Sequence, residues 1–127
     1  MKVRKLAQST HGVSTSALAL AEIACLMHRN LREGTLSPEK ARTVREQFLE
    51  DLANESWILL PVTEHILHQV ETLTRKLPRQ TFVRAGDAIH IVTALNAGFR
   101  ELWTNDRHLL SAAPHFGING RQVAASG

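Results

Sequence analysis

From Ala17 to Met27 the chain reads ALALAEIACLM, eleven positions in which Glu22 is the only polar side chain. At about 100° per residue, no face of such a helix is polar, and a helix apolar all round belongs in an interior. The carboxylate falls between Leu18 at i−4 and Leu26 at i+4, with Ala19 and Cys25 alongside. An unpaired carboxylate in that setting either costs several kcal/mol or takes up a proton. The chain is therefore expected to cover this helix and to give Glu22 a cation, an arginine, a backbone amide or a place at the margin of a deep core.

Around this segment, helical and strand patterns alternate. Residues 12–16 are β-branched and hydroxyl-rich, a short strand leading into a helix over 17–32 that Ser14, Thr15 or Ser16 would cap and Gly34 would end. Ser37-Pro38 opens a second helix, with its apolar set Ala41, Val44, Phe48, Leu49 and Leu52 on one face. Residues 57–62 read as a strand, and Thr63 caps a helix whose stripe is Ile66, Val70, Leu73 and Leu77. A further helix covers 84–96 and ends at Gly98, a strand covers 101–104 and a short helix 106–112. The tail from Pro114 returns towards Ile118. Strands alternating with helices predict an α/β fold with a parallel sheet, and 127 residues predict one domain over 1–127.

Composition narrows the function. A lone Cys25 excludes an intramolecular disulfide framework, and no apolar run reaches the length of a membrane span, so no membrane role is expected. A basic start precedes an apolar stretch, but a polar gap of about ten residues separates the two and Glu22 interrupts the second; export is not expected, and a cytoplasmic location is. Lys2, Arg4 and Lys5 supply the net charge of +3, leaving 12 Lys and Arg against 12 Asp and Glu in the remainder. Such a balance is compatible with a polyanionic partner and equally with a plain solvated surface.

Three acids carry the chemistry. Beside Glu22, Asp87 recurs with His90 and Thr93 at i, i+3 and i+6, one polar arc next to Ile91, Val92 and Leu95. Asp87 also falls in a first helical turn, where the dipole favours negative charge, and His90 is expected as a hydrogen-bond partner or packed side chain in preference to a metal ligand. Asp106 follows a strand directly, where open α/β sheets put ligands and where a helix cap is equally natural. Two carboxylates about 5 Å apart repel by about 3 kcal/mol at an effective dielectric of about 20. A cluster of such acids needs protons or a cation, and all-oxygen ligation points to Mg²⁺ or Mn²⁺. His65 and His68 share a side with Glu64 and Glu71, a solvated face. The chain has no Gly-rich phosphate loop, no CxxC and no GxSxG motif.

Three motifs in order, Val13-Ser14-Thr15-Ser16-Ala17-Leu18 with Ala21-Glu22, then Gly86-Asp87-Ala88-Ile89-His90 with Thr93-Ala94, then Thr104-Asn105-Asp106-Arg107-His108-Leu109, resemble those of PIN-domain proteins, bacterial VapC-type toxins among them. Residues 31–41 and 59–63 are similar to the stretches between those motifs, so the resemblance covers about 13–118. It implies a three-layer α/β/α fold with a central parallel sheet, and a Mg²⁺- or Mn²⁺-dependent ribonuclease that leaves 5′-phosphate and 3′-hydroxyl ends on single-stranded or structured RNA. By motif, Glu22, Asp87 and Asp106 match three of the family's four metal-holding catalytic acids, and Thr104 matches the hydroxyl residue that accompanies the last. Thr15 and His90 stand as supporting residues. Arg84 and Arg107, with Arg100, lie near the motifs as candidates for RNA contact or for surface ion pairs. The implied partners are RNA, a second copy of the chain and a cognate antitoxin.

The family's first strand ends in an Asp that supplies the fourth acid, and here no Asp or Glu precedes Glu22. The expectation is that this first strand is missing because the chain starts late, with residues 1–8 the end of the helix that would follow it. A sheet completed by another chain would account for the same absence, and so would a degenerate form. Two further functions stay open: a PIN-like module that binds RNA or an antitoxin without cutting, and a small α/β phosphatase or hydrolase.

Overall fold

The computed structural model describes residues 5–9 and 12–122. Strands β1 (Lys5–Ser9) and β2 (Gly12–Ser16) come first, then helices α1 (Leu18–Arg32) and α2 (Pro38–Ala53), strand β3 (Trp57–Leu60) and helices α3 (Glu64–Thr74) and α4 (Ala85–Asn96). Strand β4 (Glu101–Trp103), helix α5 (Arg107–Ala112), a 3₁₀ turn (Ala113–Phe116) and strand β5 (Asn119–Arg121) complete the order.

The five strands form one sheet in the order β3-β2-β1-β4-β5. β2 pairs parallel with β3, and β4 with β5, while β1 runs antiparallel to both β2 and β4. Four strands thus point one way around a reversed central one. This corrects two expectations: the sheet is mixed, not wholly parallel, and residues 5–8 are strand, not the end of a helix. Residues 1–4 of that expected helix, Lys2 and Arg4 among them, lie outside the described residues. The cause is local. Two residues separate β1 from β2, enough for an antiparallel return but far too few for the crossover that a parallel pair needs. β1 reads KLAQS and contains no acid.

Helix boundaries follow their side-chain signals. Ser37 Oγ accepts from the Lys40 amide ahead of Pro38, and Thr63 Oγ1 accepts from the Ile66 amide, both at 3.2 Å. Gly34 and Gly98 take φ of 78° and 89° just past α1 and α4, a conformation that costs little without a Cβ. The start of α1 differs from expectation: its N-cap is Ala17, with no side-chain cap, because the Ser16 hydroxyl is engaged elsewhere.

The core gathers Ile91, Val92 and Ala94 of α4 against Leu102 of β4, Leu109 of α5, Phe116 and Ile118, with Ile66 of α3 at its margin. α1 is not enclosed, contrary to its composition. It packs on α2 and α4 and buries Ala19, leaving Leu20, Leu31 and most of its small residues exposed. α2 likewise buries only Ala41, with Val44 and Leu49 exposed and Phe48 tilted against Trp57 of β3. Periodicity reports that a face is apolar and not what covers it. Among the described residues, no helix is long and apolar enough to cross a membrane.

The fold therefore stands on α4. Ile91→Ala should lose about 2–5 kcal/mol in chemical denaturation, since the side chain is fully enclosed. A loss below about 1 kcal/mol would show that α4 is not the central packing element.

Candidate active site

With β2, β3, β4 and β5 pointing the same way, the chain leaves β2 for α1 and β4 for α5 at one edge of the sheet, where open α/β sheets place their ligands. The first turn of α4 lies at that edge, where Asp87 and Asp106 meet one arginine and Glu22 lies against Gly86. Asp87 is in this turn and only 1% exposed. Asp106 caps α5: its Oδ1 accepts from the amides of His108 at 2.9 Å and Leu109 at 3.3 Å. Thr104 Oγ1 accepts from the Asp106 amide at 3.1 Å and fixes the turn that delivers the carboxylate. Glu22 reaches across from α1, so close that a Cβ on Gly86 would stand 3.0 Å from its Oε2. A side chain there would push the carboxylate aside by a few tenths of an ångström.

One guanidinium joins two of these acids. Arg84, the N-cap of α4, donates from Nε to Asp87 Oδ2 at 3.2 Å and from a terminal nitrogen to Asp106 Oδ2 at 3.1 Å. The hydrogen bond and charge of Asp87, followed by those of Asp106, raise the Arg84 pKa against the opposing effect of burial. The side chain itself is 53% exposed, and on its other side it lines a groove of about 470 Å³ between α3 and α4, floored by Val70, Val83 and Ala88.

One partner of Glu22 is a residue that its own helix did not point to. His90, wholly buried in α4, meets Glu22 Oε1 through Nε2 at 2.5 Å and Ser16 Oγ through Nδ1 at 2.8 Å. With the ring proton on Nε2, the imidazole donates to Glu22 and accepts from the serine hydroxyl, which satisfies both nitrogens. The polar arc of Asp87, His90 and Thr93 is therefore buried, with α4 packed on β2. Glu22 keeps 38% of its side chain exposed.

Among the other candidates, Thr15 is buried and its hydroxyl has no hydrogen-bond partner among the described residues, as is true of Thr93. Arg107 is exposed at the first position of α5 and Arg100 is exposed beside Phe99. His65 and His68 are exposed, with His68 3.4 Å from Glu64, the solvated face expected of them. Two contributors were not legible. Ser16 reads as a helix cap and serves as the anchor of His90, 74 residues away. Arg84 stands among the candidates for RNA contact or a surface ion pair, but its bridge between Asp87 and Asp106 is not indicated by any spacing.

The donor set suits a hard divalent cation, since three carboxylates supply oxygen ligands without sulfur. Asp87 and Asp106 already converge on a common positive group, and the guanidinium stands where a cation would serve both. Glu22, Asp87 and Asp106 would hold the ion. Among the described residues no three Asp, Glu, His or Cys are drawn tightly enough to ligate at once, with Arg84 between the aspartates and His90 on the glutamate.

Comparison with known proteins adds one match. A family model described as the PIN domain matches residues 1–114. That span takes in the opening residues, which the three motifs do not reach. No curated protein and no solved structure matches the chain.

If Arg84 and a divalent ion share the two aspartates, removing the guanidinium has two separable effects. Arg84→Gln should lower stability by about 1–3 kcal/mol, between the values for exposed and buried pairs, because Asp87 is buried while Arg84 is half exposed. Mn²⁺ should then raise the Tm of the variant more than that of the parent, each measured against EDTA. Equal shifts would show that ion and guanidinium do not compete.

Proposed function

This chain belongs to the PIN-domain family, and from that premise we propose that it is a Mg²⁺- or Mn²⁺-dependent endoribonuclease acting as the toxin of a toxin–antitoxin pair. PIN domains are generally nucleases that require a divalent metal. The observation that carries the proposal is the convergence of Asp87 and Asp106 on one guanidinium, with Glu22 against the adjacent Gly86.

Glu22, Asp87 and Asp106 would hold a divalent ion, which would supply charge neutralisation at a phosphodiester and a more acidic bound water. The chain's own residues do the rest. Asp106 is held by two amides and by the Thr104 turn, so its orientation is set before substrate arrives. Glu22 is steered by His90, itself anchored on Ser16, and this restrains a carboxylate that would otherwise sample several rotamers. Arg84, displaced from the aspartates, would be free to meet a substrate phosphate with its planar fork. Arg107 lies one residue from Asp106, within reach of the same backbone.

A homodimer and an antitoxin complex are part of the proposal. Leu20, Ala24, Met27 and Leu31 share one face of α1 at helical spacing, and Leu20, Ala24 and Leu31 are exposed, as are Val44 and Leu49 of the adjoining α2. An apolar stripe of this kind fits a partner helix. One observation favours a second reading, a module that binds RNA or an antitoxin without cutting: the central strand β1 contains no acid, so the described chain gathers three carboxylates and not the four that the family resemblance implies.

Cleavage of a mixed single-stranded RNA, in Mn²⁺ and then in EDTA, tests the proposal. Cleavage should need the metal, and Asp106→Asn and Asp87→Asn should each lower its rate by about 10²-fold or more. Unchanged cleavage in either variant would refute the assignment, and no cleavage by the folded parent would favour the binding module.

A further inference from the structure

Phe82, between α3 and α4, is 53% exposed, more than any other exposed large apolar residue among the described residues. Its ring lies against the His108 imidazole, centroids 4.4 Å apart and planes inclined by 42°. The Arg84 guanidinium carbon stands 5.9 Å from the Phe82 centroid. Both neighbours belong to the acidic edge: Arg84 bridges Asp87 and Asp106, and the His108 amide is one of the two that hold Asp106. A ring this exposed contributes little to the core, yet it is flanked by a cation and an imidazole that contact Asp87 and Asp106.

We propose that Phe82, with His108 and Arg84, is a stacking platform for one unpaired base of a single-stranded RNA, positioned next to the carboxylates. This rests on the nuclease reading for the identity of the ligand as RNA, and its geometry is independent of whether the chain cuts. Aromatic rings and guanidinium planes are the surfaces on which unpaired bases stack, and any base offers a face to them. In a duplex both faces of a base are covered by its neighbours, so the platform selects single strands. A protein partner fits the ring less well. Docking helices seek contiguous apolar area, whereas the ring of Phe82 meets an imidazole and a guanidinium. With one base stacked on Phe82, the adjoining phosphate lies near Arg84, which links the platform to the acids.

The test is fluorescence anisotropy of the full chain with a labelled twelve-nucleotide RNA of mixed sequence, as single strand and as duplex, in EDTA and low salt. Phe82→Ala should weaken single-strand binding by about tenfold, within the range of one base–aromatic stack. Phe82→Trp should hold it within about twofold of the parent, and duplex binding should not respond to either change. A parent that binds no single strand, an alanine variant that binds as tightly as the parent, or one that loses single strand and duplex alike would overturn the platform. So would a change of oligomeric mass in Phe82→Ala without a change in RNA affinity, which would make the ring a protein contact. Failure of the nuclease reading looks different: the parent would not cleave in Mn²⁺, yet the alanine variant would still lose single-strand affinity.

Discussion

The acidic edge depends on one ion-pair fork, Arg84 on Asp87 and Asp106. Asp87 is nearly inaccessible, and a carboxylate in such a place is tolerated only with strong compensation. Arg84 supplies part of it from the helix cap position, across three residues to Asp87 and twenty-two to Asp106. The same pair fixes the entry of α4 relative to the turn after β4. Around that fixed corner the remaining polar groups find their places: Thr104 on the Asp106 amide, Gly86 under Glu22, His90 between Glu22 and Ser16.

A buried polar arc on the best-packed helix is an expensive way to build a core. Asp87, His90 and Thr93 occupy positions that apolar residues would fill with less desolvation, and the Thr15 and Thr93 hydroxyls have no hydrogen-bond partner among the described residues. Consistency between local pattern and global fold breaks here, as it does where a site is held against the preference of the interior. The apolar half of α4 offsets that cost through Ile91, Val92 and Ala94. One helix therefore joins core and site, and the position of the acids is only as firm as the packing beneath them.

Much of this was legible in the residues, and the limits have physical causes. Caps, closing glycines and strand positions are local, and Ser37, Thr63, Gly34 and Gly98 sit where their chemistry predicts. The three acids stand out because each violates its surroundings: a lone Glu in an apolar helix, an Asp in the first turn of a buried one, an Asp just past a strand. Their partners were not legible, since Ser16 to His90 and Arg84 to Asp106 are long-range pairs that no spacing rule connects. The composition of α1 implied enclosure, but its neighbours among the described residues cover one side of it. The role of β1 was also hidden, because KLAQS has no strong strand pattern and its place depends on edges offered by β2 and β4.

The central claim is that Glu22, Asp87 and Asp106 form one divalent-cation site that Arg84 holds in readiness. Its most direct test is the electron paramagnetic resonance signal of free Mn²⁺, titrated with the intact protein. A single site should deplete that signal, with depletion lost in Asp87→Asn and strengthened in Arg84→Gln. Depletion that is the same in all three proteins would place the ion elsewhere and contradict the account.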